Sequence, residues 1–145
     1  MTETDDASWH PLPCPCNLAS LLGPVLQRRT DEGWTYAMRI EPKHTNSAGI
    51  LHGGAAMALL DEALGNMVRQ ATQRRNVTIQ LNTNFIQPGH VGELLEAECR
   101  LTRMTGSLAF IEAQLHVTDR TIATYSAIFK KIVLPDHPRT ESVIA

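Results

Sequence analysis

The sequence predicts an α+β fold in which a curved antiparallel sheet wraps around one long central helix. Two observations carry that expectation. Residues 55–68 are almost wholly apolar and rich in Ala, Leu and Met, strong helix formers that no proline interrupts. Four runs of alternating apolar and polar residues then follow, joined by short turn-forming segments, as in antiparallel strands with one wet and one dry face. A helix apolar on nearly all sides needs burial on nearly all sides, and a sheet curled around it supplies that.

In chain order, residues 1–32 read as an N-terminal arm carrying a short helix, 33–134 as the folded domain, and 135–145 as a tail. The arm is polar and then proline-punctuated (HPLPCPC). Asn17 is placed to cap a helix running through Leu18, Leu21, Leu22, Val25 and Leu26, whose spacing makes one apolar face. Gly33 to Ile40 reads as a strand with Trp34, Tyr36, Met38 and Ile40 on one side, ended by Pro42. A glycine-containing turn, Asn46 to Gly54, leads into the central helix. Beyond it, Val77, Ile79, Leu81 and Phe85 alternate with polar residues, and Pro88-Gly89 makes a turn. Leu95, Ala97, Cys99 and Leu101 mark the next apolar face. Ala109, Ile111, Ala113, Leu115 and Val117 mark the third, and Thr121 to Val133 is the last strand. The short connections imply a meander of all four.

Composition excludes several classes. A chain of 145 residues suits one domain, and its net charge of -2 gives no footprint for nucleic acid. The apolar run is broken at Asp61 and is too short to span a bilayer. The first residues, MTETDDASWH, lack the basic-then-apolar order of a signal peptide. Cys14, Cys16 and Cys99 cannot all pair within one chain. A cytoplasmic protein without a membrane partner is therefore expected. Cys14 and Cys16 with His10 lack a second ligand pair, so no metal site is expected, and no cofactor signature is present.

The central helix carries adjacent carboxylates, Asp61 and Glu62. A carboxylate on an apolar helix is costly unless it is satisfied or used, which makes Asp61 a candidate for chemistry. Glu62, one step round the helix, reads as a structural or subunit-contact group.

The order Asn46-x-x-Gly49-x-x-His52-Gly53-Gly54, then Asp61, then Val77-Thr78 opening a strand that ends Phe85-Ile86-Gln87-Pro88, resembles the hotdog-fold acyl-CoA thioesterases. Among them it is similar to the phenylacetyl-CoA thioesterase-like branch, related to the 4-hydroxybenzoyl-CoA thioesterases. The resemblance runs from about Gly33 to Val133. It implies hydrolysis of an acyl-CoA thioester. Gly53 would be the oxyanion donor, and Asn46 would hold the loop or polarise the carbonyl. His52 would lie near the thioester or its leaving sulfur, and Thr78 would align the attacking water with Asp61. Equally, His52 reads as a helix-start residue bonded to backbone, and Thr78 as a β-former chosen for propensity.

The residues support this chemistry independently. Unpaired N–H groups at a helix start lie at the positive end of the dipole, and Gly53 and Gly54 let a ligand approach them. Asp61 can act as base or as nucleophile. It lies eight residues beyond Gly53, about 12 Å along the helix, so one chain cannot easily bring both to one thioester. Two antiparallel helices can, which predicts an obligate homodimer with sites across its interface, as the family has, and pairing into a homotetramer. Leu59, Leu60, Leu64 and Met67 are the expected pocket wall, suited to an aromatic or medium-chain acyl group. Arg74, Arg75 and Arg103 are the candidate partners of the coenzyme A phosphates. Where the family often has Gly followed by Arg or Lys, the chain has Gly106-Ser107. The alternatives are a non-catalytic acyl-CoA-binding module and a hotdog dehydratase or hydratase.

Overall fold

Among the described residues, ten elements surround a single core. The computed structural model describes residues 8–13 and 15–132; the acidic start (1–7), Cys14 and the expected tail (135–145) lie outside them. In order, the elements are β1 (His10–Pro11), α1 (Asn17–Leu22), β2 (Leu26–Thr30), β3 (Gly33–Arg39), α2 (Gly53–Thr72), β4 (Arg75–Phe85), β5 (Leu94–Met104), β6 (Leu108–Val117) and β7 (Arg120–Ile132), with a 3-10 turn at Pro42–His44. The strands form one antiparallel seven-stranded sheet in the order β1-β2-β3-β5-β6-β7-β4, wrapped against α2. This is the arrangement expected of a hotdog fold.

Helix α2 is buried on one side only, where the sequence suggested burial nearly all round. Ala55, Ala56, Leu59, Leu60, Ala63, Leu64 and Val68 turn to the sheet. Asp61 and Arg69 are exposed, and Met57, Ala58, Glu62, Gly65 and Asn66 are half-buried. The helix is amphipathic within one chain: it is long in alanine, and alanine reads as apolar wherever it points.

The meander holds only for β5, β6 and β7. Strand β4 pairs with β7 and not with β5, so Pro88-Gly89 lies in a crossover rather than a hairpin. That crossover carries the chain past the start of α2 to β3, which β5 joins. It is tightly built. A Cβ at buried Gly89 would come 2.9 Å from Ile40 Cδ1, and the Leu51 N–H donates to the Gly89 carbonyl at 2.8 Å. Arg120 donates to the Pro88 carbonyl at 2.6 Å and to Glu93 Oε1 at 2.5 Å, while the His90 N–H donates to Glu93 Oε2 at 2.8 Å.

Strand β4 departs from the alternation that its sequence shows. Thr78 pairs with Phe129 and Gln80 with Ile128, so Ile79 is the extra residue of a β-bulge. Before the bulge Asn76 and Thr78 face the helix, bonding Gly65 and Asp61; after it Leu81 packs against the core instead. Val77 and Ile79 are consequently exposed. The arm also differs from expectation. Cys16 rather than Asn17 caps α1, accepting from the Ala19 N–H at 3.4 Å. The helix stops at Leu22, Leu26 opens a strand, and Leu18 and Leu21 point outward. The cap competes with the apolar spacing, and β3 offers Leu26–Thr30 a hairpin partner.

Two stability measurements check this arrangement. Leu64→Ala should cost about 2–5 kcal/mol in chemical denaturation, and Leu21→Ala, at a position 75% exposed, less than about 0.5 kcal/mol. The Glu93 carboxyl lies below its ordinary range: burial works the other way, and the His90 N–H and the Arg120 guanidinium outweigh it. A carboxyl lowered by folding stabilises the fold above its unfolded pKa, and that gain is lost as pH falls through the lowered folded value. The advantage of wild type over Glu93→Gln should be about 1 kcal/mol at neutral pH and vanish in acid. An advantage that persists unchanged into acid would contradict the assignment.

Candidate active site

The start of α2 is framed by a closed loop. The Asn46 N–H donates to the Ile50 carbonyl at 2.9 Å, Thr45 bridges to Leu51, and the His52 N–H donates to the His44 carbonyl at 2.8 Å. Asn46 Oδ1 accepts from the Ala48 N–H at 2.9 Å and the Ile50 N–H at 3.4 Å, which folds the loop on itself and leaves the amide NH2 of Asn46 unbonded among the described residues. His52 is the N-cap, its Nδ1 accepting from the Gly54 N–H at 2.8 Å. The backbone bond foreseen for His52 is therefore made, and it consumes the Gly54 donor. The Gly53 N–H has no partner among the described residues. It opens on a mostly apolar cleft of about 500 Å³ lined by Asn46, Ile50, Phe85, Ile86, Gln87 and Ile122 among others. A Cβ at Gly53 would meet the Phe85 ring at 2.8 Å, so this position takes a glycine.

Asp61 occupies a second, polar cleft of about 660 Å³, with Cys16, Glu62, Asn66, Arg69, Arg75 and Thr78 in its lining. Strand β4 brings Thr78 here through its bulge, and the Thr78 hydroxyl donates a short hydrogen bond to Asp61 Oδ1. That bond fixes one carboxylate oxygen and leaves Oδ2 for another partner. Asp61 is exposed in the single chain, not buried as the helix pattern implied. The Glu62 carboxylate accepts from Cys16 Sγ at 3.1 Å and from Asn66 Nδ2 at 3.2 Å.

The fold thus joins the expected residues into two groups, Asn46, His52, Gly53 and Gly54 at one end of α2, and Asp61 with Thr78 along its open flank. Asn46 and Gly53 line one cleft and Asp61 and Thr78 the other; His52 and Gly54 line neither. Leu60 and Leu64 line neither; both are fully buried in the helix–sheet core, as is Leu59, while Met67 packs partly buried against it. These leucines serve the core because the sheet lies on their side of the helix. Of the arginines, Arg75 reaches the Asp61 cleft, whereas Arg74 and Arg103 line neither cleft. Sequence reasoning missed Arg69, although its place two turns beyond Asp61 and Glu62 could have shown it. It also missed Phe85 as the wall over Gly53, and nothing local signals that contact.

Comparison with known proteins gives a consistent picture. The sequence profile of the thioesterase superfamily matches residues 48–124, from the loop through most of the sheet. "Putative esterase PA0474" of Pseudomonas aeruginosa is 32% identical over 124 residues, 83% of this chain and 92% of its own. "Acyl-coenzyme A thioesterase 13" of Mus musculus is 30% identical over 86 residues, 58% of this chain and 59% of its own length. Among solved structures, the BH2602 protein of Bacillus halodurans with CoA superposes at a TM-score of 0.76 and 24% identity, covering 86% of this chain and 83% of that one. At that identity the likeness concerns the fold.

Proposed function

The chain belongs to the thioesterase superfamily, and from that premise we propose that it hydrolyses an acyl-CoA thioester, aryl or medium-chain, to the free acid and coenzyme A. Thioester hydrolysis follows from the family; the ester, the residue roles and the assembly are our reading. One observation carries it: a Gly53 N–H with no described partner at one end of α2 and a Thr78-held carboxylate on its flank. The acyl-CoA substrate finds support in the name of the mouse relative, and Arg69 and Arg75 beside Asp61 supply cations for phosphates. No helix among the described residues is long and apolar enough to cross a membrane, and the proposed setting is the cytoplasm.

The thioester carbonyl oxygen accepts from the Gly53 N–H, which strengthens as the oxygen becomes anionic. Asp61 takes a proton from water, which attacks the carbonyl carbon, or Asp61 attacks it to form an anhydride that water then hydrolyses; in either case the C–S bond breaks and coenzyme A leaves as the thiol with a proton that came from water. The Thr78 hydroxyl keeps the carboxylate oriented in either case. With His52 Nδ1 accepting from Gly54, the neutral ring carries its proton on Nε2, available as a hydrogen-bond donor to the departing sulfur. Because the two groups are about 12 Å apart along one helix, each site takes Gly53 from one subunit and Asp61 from the other. Strand β4 supports that pairing. It is an edge strand of eleven residues with exposed Val77 and Ile79 and no proline or lysine to blunt it. Two such dimers pair into a tetramer in this reading.

Thiol release from a panel of aryl- and alkyl-CoA esters tests the chemistry. Asp61→Asn should lower it by about 10²-fold or more. Gly53→Pro removes the N–H at a helix position that suits proline but brings its ring against Phe85, so Gly53→Ala, which brings the same Cβ and keeps the donor, is its control; proline should lose about 10–10² more in kcat. Subunits carrying Asp61→Asn mixed with subunits carrying Gly53→Pro should recover about a quarter of wild-type activity, because half of the dimers then hold one intact site. No recovery from verified mixed dimers would sink the shared site. Silence across the panel with CoA-ester binding retained would favour a binding module instead.

A further inference from the structure

His44 is 1% exposed, so its imidazole lies buried. Both its ring nitrogens are used. The Glu41 N–H donates to Nδ1 at 2.9 Å, so in the neutral ring the proton lies on Nε2, which donates to the Leu22 carbonyl at 2.6 Å. Leu22 is the last residue of α1, where a helix leaves its carbonyls without internal partners. The neighbouring Lys43 Nζ donates to the Gly23 carbonyl at 3.1 Å, so two consecutive side chains hold the end of the arm helix. At the other end of α1, Cys16 bonds Glu62, next to Asp61. The arm helix therefore bridges the two groups of site residues.

The main chain of His44 completes the connection. Its carbonyl accepts from the His52 N–H, and the peptide that follows His52 is the Gly53 donor. We propose that His44 is a positioning residue. It anchors the base of the Asn46–His52 loop to the arm, and so fixes where the Gly53 N–H and the Asn46 amide stand relative to the substrate carbonyl. This rests on the function proposed above. A displacement of about 1 Å in such a donor is enough to lower a rate by about 10²-fold, while Arg69 and Arg75, the phosphate partners in the proposed function, lie outside the loop.

Two partial replacements separate the two bonds. His44→Asn keeps an acceptor near Nδ1 for the Glu41 N–H and drops the tether to Leu22; His44→Gln keeps a donor near Nε2 and drops the acceptor. Steady-state thiol release by the full chain should show kcat lowered about tenfold or more for asparagine, KM within about twofold of wild type, and most of kcat retained for glutamine. Hydrogen–deuterium exchange should quicken in peptides covering residues 46–54 of the asparagine variant and stay unchanged in β5–β7. Equal kcat and equal loop exchange in wild type and asparagine variant would overturn the proposal. So would a loss accounted for entirely by a smaller folded fraction. Should wild type cleave none of the esters, the functional reading fails by itself, and loop exchange alone decides the role of His44.

Discussion

Helix α2 meets the sheet through Ala55, Ala56 and Ala63 as much as through its leucines, and the sheet answers with Ala97, Ala109, Ala123 and Ala127. Small residues on both surfaces allow backbones to approach closely, while Leu59, Leu60, Leu64, Leu95, Ile111 and Phe129 fill the space between. This packing uses one side of the helix completely and leaves the other to different purposes. The carboxylate, the flanking amide of Asn66 and the arginines sit on the open side because the closed side has no room for a polar group. The start of the helix, clamped by the crossover through Gly89, presents a donor that is both fixed and reachable.

The arm is more than a preface to this core. Trp9 is buried with the Arg28 guanidinium 4.3 Å over its ring, and β1 pairs with β2, so the first described residues are held on the edge of the sheet. From that edge the chain crosses back to α2 through α1. The same short helix touches the flank that bears Asp61 and the loop that precedes Gly53, which gives two separated parts of the surface a common mechanical reference.

Much of this was legible in the sequence, for identifiable reasons. The long apolar run, the strand residues of β5–β7 and the Asn46–Gly54 loop are local patterns, and local patterns survive folding. Asp61 stood out because a carboxylate among alanines and leucines is improbable without a purpose. The pairing of β4 with β7 was hidden, since a crossover and a hairpin can share the same Pro-Gly turn residues and the choice is made by distant strands. Strand β2 was hidden because five residues rich in polar side chains, Leu26–Thr30, become a strand only when β3 lies beside them. Phe85 and Arg69 take their meaning from contacts across elements, which no spacing along the chain encodes.

The bulge at Ile79 has a consequence for how the edge of the sheet is specified. By its own alternation the first half of β4 prefers to turn Val77 and Ile79 inward with Leu81, which would expel Asn76 and Thr78. The observed register does the opposite, and what selects it is the helix: the Gly65 carbonyl holds Asn76 at 2.9 Å and Asp61 holds Thr78. The strand is thus locally frustrated, with two registers one residue apart and a polar contact deciding between them. Asp61 in this view is also a folding determinant, whose loss would loosen the choice of which face of the edge strand is apolar.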